Sequence, residues 1–209
     1  MAALDGALAC QADMFEFDVR RAGDSTLVVH HDAEIDTRTL ASFDYAEAAS
    51  AAVRLGYELP RLDDVLSRAR GRIRLDVELK EAGYEDAVIG ALLDRGFTPD
   101  DFVVTSFERD ALAAIPTLHP AIRVGLLVYD VSGTVALEMF RHSSAAFLGP
   151  DYQILDGVTL REAAAAHIPL LPWTVNDPTA MRRLLNAPAL LGLITDRPVD
   201  AMGVRGGGP

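Results

Sequence analysis

The sequence predicts an α/β fold, a TIM-type (β/α)8 barrel from which the first strand is missing. Strand-like apolar runs alternate with segments of helical length, which is the mark of an α/β protein. The later runs recur about every 20 to 25 residues, and their β-branched, nearly continuous apolar character suits a parallel sheet covered by helices. An open doubly wound sheet is the rival, but no glycine-rich phosphate loop follows any strand to support it.

Taken in order, "MAALDGALACQA" (1–12) is helix-like and precedes any strand. The first strand is read from Met14 to Val19. "TLVVH" (26–30) is an accessory strand and "DAEIDTRTLASFDY" (32–45) a polar loop. Further runs begin near Ile73 ("IRLDVEL"), Phe102 ("FVVTSF"), Ile122 ("IRVGLLV"), Ala145 ("AAFLGP"), Ile168 ("IPLLPWTV") and Leu191 ("LGLIT"). Between them lie "YEDAVIGALLDRG", "ERDALAAIP", "VSGTVALEMFRH", "GVTLREAAAAH" and "PTAMRRLLN", all of helical length and pattern. That makes seven barrel-type strands where a barrel needs eight, so the chain begins inside the barrel's first helix. The 209 residues are expected to form one domain, 1–209, with 203–209 as a flexible tail.

The net charge of −12 repels nucleic acid and anionic headgroups, which excludes those partners. One cysteine, Cys10, allows neither an internal disulfide nor a cysteine zinc site. No run approaches about 18 apolar residues and the N-terminus lacks a secretory pattern, so a cytoplasmic protein without stable membrane insertion is expected. A barrel short of one strand exposes two edges, which invite pairing with a second copy.

The chemistry concentrates in two strands. In "MFEFDV", Glu16 and Asp18 point one way while Phe15, Phe17 and Val19 point the other. In "RIRLDVELK", Ile73, Leu75, Val77 and Leu79 face the helices, leaving Arg74, Asp76, Glu78 and Lys80 on the inner face. Glu16, Asp18, Glu78 and Lys80 fall at the C-terminal ends of neighbouring strands, where barrels build their active sites. One reading is a set of inner salt bridges, with Arg74 and Lys80 neutralising the acids. The other is a cation site, and hard carboxylate oxygens select Mg²⁺ or Ca²⁺ before zinc.

The blocks "FEFDVRRAGDSTLVVHHDAEIDTRT", "LPRLDDVLSRARGRIRLDVELK", "VVTSFERDAL", "LPWTVNDPTAMRRLL" and "GLITDRPVD" together resemble glycerophosphodiester phosphodiesterases. These belong to the wider group of phosphatidylinositol-phospholipase-C-like phosphodiesterases. The resemblance covers nearly the whole chain and implies a (β/α)8 barrel that hydrolyses small glycerophosphodiesters to glycerol 3-phosphate and an alcohol. It implies Glu16, Asp18 and Glu78 as metal ligands and His31 as one of two catalytic histidines. It also implies Lys80 as a phosphate contact, Phe107 and Trp173 lining the glycerol side, and Asn176 near the rim. Family members open with a strand ending in His-Arg-Gly and a Pro-Glu-Asn-Thr segment, neither of which stands in this sequence. The first catalytic histidine and a phosphate-binding arginine would be missing with them, so the polypeptide is expected to be slow or inactive. The alternative is a pseudoenzyme that binds metal or phosphodiester without turnover. His30, His119, His142 and His167 are read as surface or helix-end residues, Asp32 as a partner of His31 or a turn residue, and Asp196 as a cap for the helix at Pro198.

Overall fold

The computed structural model describes residues 1–206, and the chain divides into two compact units, Met1–Ile122 and Arg123–Pro209. The first unit opens with α1 (Ala2–Ala9) and β1 (Met14–Arg21), as expected. β2 (Leu27–Val29) then pairs antiparallel with the distal end of β1, Val19 opposite Val29. The Ala22 N–H closes the hairpin on the Thr26 carbonyl at 2.9 Å, and the Gly23 N–H ties the turn to the Phe43 carbonyl at 2.7 Å. A Cβ there would stand 2.5 Å from the Ala41 carbonyl oxygen, so only glycine fits.

The stretch expected as a plain polar loop is more ordered than that. It forms β3 (Glu34–Ile35), β4 (Arg38–Thr39) and a 3₁₀ turn at Leu40–Ser42. Its few apolar residues, Ile35, Leu40 and Phe43, are buried with Val28 and with Ala48, Ala51 and Ala52 of α2 (Tyr45–Arg54). That small core is what holds the loop. α2 starts on a capping box, in which the Asp44 carboxylate accepts from the Glu47 N–H and the Glu47 carboxylate accepts from the Asp44 N–H.

After α3 (Leu62–Ala69), β5 (Arg74–Leu79) lies parallel to β1, with Glu16 opposite Asp76 and Asp18 opposite Glu78. α4 (Glu85–Asp94) leads to β6 (Phe102–Ser106), again parallel, with Asp76 opposite Val103. The order of strands in this unit is β2, β1, β5, β6, and α5 (Arg109–Leu118) ends it. On the apolar sides of β1 and β5, Val19, Leu75, Val77 and Leu79 have no solvent exposure.

The second unit begins with β7 (Val124–Val128), followed by α6 (Gly133–Arg141) and the parallel partner β8 (Phe147–Pro150). α7 (Gly157–Ala165), α8 (Pro178–Leu185) and α9 (Pro198–Arg205) complete it. Asp156 and Asp177 cap α7 and α8 with their side chains, and Pro178 takes the first-turn position where a missing N–H costs nothing.

The last two expected strands are interrupted. Around "IPLLPWTV" the pairing reduces to parallel bridges, Leu148 to Leu170, Asp151 to Trp173, and Leu170 to Leu190. Pro169 and Pro172 have no N–H to give to a ladder, which breaks it into single contacts. The direction of the chain survives: Leu171 N–H donates to Leu148, Trp173 N–H to Pro150, and Val175 N–H to Ile194. Gly203–Arg205, expected at the start of a flexible tail, form the last turn of α9, which opens on Pro198 in its first turn. The remainder of that expected tail, 207–209, lies outside the described residues.

Candidate active site

Strand alternation and the parallel register together build the site. Asp18 and Glu78 are direct neighbours on β1 and β5, and Glu16 lies two residues before Asp18 on the same face. One carboxylate oxygen from each of Glu16, Asp18 and Glu78 lies within 4.8 Å of the others. Lys80 stands just beyond β5. Its Nζ is 2.9 Å from Asp18 Oδ1 and 2.6 Å from Glu78 Oε1. Arg74 does not share this role, because it sits exposed at the opposite end of β5 and donates to the Asp100 carbonyl.

Electrostatically the cluster carries more acid than it neutralises. Burial, reinforced by Asp18, Asp76 and Glu78, holds the Glu16 carboxyl well above its ordinary range. Burial likewise raises Glu78, against the opposing pull of Lys80. Burial works to lower the Lys80 ammonium, but its bonds to Glu78 and Asp18 outweigh that and raise it. Asp76, one step deeper and 1% exposed, is pushed up to about 7 chiefly by burial, even though the Thr105 hydroxyl donates to its Oδ1 at 2.7 Å. Its Oδ2 meets no donor.

The donor set fits a hard divalent cation: three converging carboxylates, no nitrogen or sulfur ligand, and a bare buried carboxylate oxygen beside them. A cation would supply the positive charge that Lys80 alone does not. The triad could therefore hold a metal ion, and the three side chains expected as ligands converge on one point.

His31 reaches this region because β2 is tied to β1. The His30 N–H donates to the Asp18 carbonyl at 3.0 Å, and Arg20 Nε donates to the His31 carbonyl at 2.8 Å. The same guanidinium pairs with Glu81, next to Lys80. The His31 ring shares a hydrogen bond of 2.8 Å between Nδ1 and Asp32 Oδ1, so Asp32 orients it, and both side chains are 73% exposed. A cavity of about 360 Å³ is lined by Glu16, Asp18 and His31 together with Phe15, Phe17 and Tyr57. Tyr57 also stacks on His30, with ring centroids 5.9 Å apart.

Phe107 follows β6 and holds its ring centroid 5.9 Å from Lys80 Nζ. Trp173 and Asn176 belong to the second unit. Trp173 Nε1 donates to the Gly149 carbonyl at 2.8 Å. Asn176 donates to Asp196 and accepts from Thr195 and the Asp196 N–H, so it ties the segment before α8 to the one before α9. Asp196 is thereby turned from the capping position expected for it: Arg197 precedes α9, and no side chain caps that helix.

Two further residues brace the site, and no local pattern in the sequence pointed to them. The Tyr84 hydroxyl donates to the Val19 carbonyl at 2.7 Å and accepts from the Glu81 N–H at 3.2 Å, clamping the ends of β1 and β5. Arg20 ties the His31 segment to the same place. Partners 65 and 61 residues away leave no trace in a short window.

Parallel strands in each unit, with acids and a lysine gathered at strand C-terminal ends in the first, make an α/β protein with a candidate hydrolytic centre. The sequence profile of the glycerophosphoryl diester phosphodiesterase family matches residues 1–200. The chain belongs to that family, a family of phosphoric diester hydrolases. It is similar to a glycerophosphodiester phosphodiesterase of Bacillus subtilis, 27% identical over 90% of this chain and 75% of the relative. The crystal structure of a glycerophosphodiester phosphodiesterase from Parabacteroides distasonis superposes with a TM-score of 0.83 at 24% identity, covering 98% of this chain and 88% of that one. A phosphodiesterase from Oleispira antarctica, solved in complex with the product sn-glycerol-3-phosphate, gives the same TM-score of 0.83 at 22% identity, covering 98% and 90%. The expected α/β fold class is thus borne out. Among the described residues no helix is long and apolar enough to cross a membrane.

Proposed function

We propose that this chain hydrolyses glycerophosphodiesters to glycerol 3-phosphate and an alcohol, with Mg²⁺ or Ca²⁺ held by Glu16, Asp18 and Glu78. The observation that carries the proposal is the convergence of those three carboxylates on one point with Lys80 beside them. A bound cation would draw charge from a phosphoryl oxygen and stabilise what develops there in displacement at phosphorus. Lys80 offers N–H donors to the same phosphate, and the neighbouring Phe107 ring limits the space around its ammonium. His31 handles a proton: with Nδ1 engaged by Asp32, the other ring nitrogen faces the reaction as acid or base. Trp173 and Asn176 are proposed as glycerol-side and rim residues.

The test is hydrolysis of glycerophosphocholine by the full chain with Mg²⁺ or Ca²⁺, alongside calorimetric titration of each ion. Slow turnover that a chelator abolishes, and ion binding that Glu78→Gln removes, are the expected results. Chelator-insensitive turnover, or no ion binding by the unaltered chain, would overturn the metal assignment. A second reading is binding without hydrolysis; ion binding and product affinity with no turnover would select it.

A further inference from the structure

We infer that Asp76 is a fourth acidic member of the cation site, one that engages the ion through a water in its shell. The inference rests on the reading of Glu16, Asp18 and Glu78 as the ion's ligands. Register sets Asp76 directly beside Glu16 on the neighbouring parallel strand, and alternation puts it on the same face as Glu78. Four carboxylates therefore stand side by side on one face of β1 and β5.

Asp76 is the deepest of them, at 1% exposure. The Thr105 hydroxyl holds Oδ1 at 2.7 Å and so fixes the carboxylate plane. Oδ2 is left without a donor. The lysine that might have served it is committed elsewhere, since Lys80 Nζ spans Asp18 and Glu78. A buried carboxylate oxygen with no donor, beside three acids able to ligate a metal, lacks a partner that would arrive with the ion.

A direct bond is not the geometry. The oxygens that come within 4.8 Å of one another belong to Glu16, Asp18 and Glu78, and Asp76 adds none to that set. A water bound to the ion, donating to Asp76 Oδ2, satisfies both groups at once. Mg²⁺ in particular keeps several of its waters when carboxylates bind it. Partners beyond the ligands orient such a shell and tune affinity, and Thr105 would aim Asp76 for that purpose.

Calorimetric titration of Mg²⁺ and Ca²⁺ into the chelator-stripped full chain tests this with unaltered protein, Asp76→Asn, Thr105→Val and Glu78→Gln. Asp76→Asn should weaken binding about 10- to 100-fold, Thr105→Val by a smaller factor, and Glu78→Gln should remove it. The ion-free Asp76→Asn protein should melt no lower than the unaltered chain, since the amide still accepts from Thr105 and one acid has left the cluster. Unchanged affinity in Asp76→Asn would overturn the inference and leave the ligand assignment standing. So would a loss as complete as that of Glu78→Gln in a folded protein, because it would make Asp76 a direct ligand. Should Asp76→Asn fail to fold, unchanged affinity in Thr105→Val would overturn it. Absence of ion binding by the unaltered chain would overturn the ligand assignment itself, and the inference with it.

Discussion

β5 and β7 are both parallel strands walled in on every side, yet they are made of different material. β7 reads Val-Gly-Leu-Leu-Val, buried throughout and uncharged. It fits by close packing: a Cβ on Gly125 would lie 2.3 Å from the ring of Phe147 on β8. From Leu75 onward β5 is buried just as fully, but Asp76 and Glu78 alternate with its apolar residues. What separates the two is the company each keeps. Lys80 meets Glu78, Thr105 meets Asp76, and the parallel register brings up Asp18 to share the lysine. Burial alone does not forbid charge in such a strand; burial without a partner does.

The comparison breaks first if charge is placed where nothing can answer it. Leu126, 1% exposed in the middle of β7, has no basic neighbour in its strand. Leu126→Glu should cost on the order of 5 kcal/mol of stability or abolish folding, as read by urea unfolding. A mild effect would mean that β7 tolerates charge as β5 does.

Removing the partner from β5 should be the next largest effect. Lys80→Met leaves Asp18 and Glu78 facing each other without a cation and is expected to destabilise the chelated protein by about 3 kcal/mol. Added Mg²⁺ or Ca²⁺ should recover part of that loss in a thermal melt, because the ion takes up the role of the missing ammonium.

Titration sharpens the contrast further. Asp76 is raised from its ordinary 3.8 to about 7 in the folded protein, and Glu16 and Glu78 are raised as well. The folded state therefore holds more protons than the unfolded one between those values, and stability falls as pH rises. The chelated protein should melt several degrees lower near pH 7 than near pH 4, and saturating cation should flatten the slope. A melting temperature that rises over the same interval would show the acids to be stabilised ions rather than strained ones.

Much of this was legible in the chain. The period of two in "MFEFDV" and "RLDVEL" placed the acids on common faces, and the alternation of strands with helices carried the fold class. The accessory strand read at "TLVVH" is present as β2, antiparallel to β1. The polar stretch 32–45 was less legible, because three scattered apolar residues do not announce that they share a core with a helix further on. One reading of the sequence has Arg74 and Lys80 both neutralise the acids from the inner face of one strand. The ends of that strand lie in different surroundings, so one is a surface residue and the other the cation between two acids.

What the sequence by itself determined is which side chains share a face, because strand alternation is a property of the backbone and reaches no further than a few residues. Tertiary structure decided which faces meet. The alignment of Asp18 with Glu78 and the clamps from Tyr84 and Arg20 depend on groups about 60 residues apart in the chain, and Asp76 is held by Thr105, 29 residues further on. Their positions follow from how the strands pack and register against one another, and that is a balance of many distant contacts.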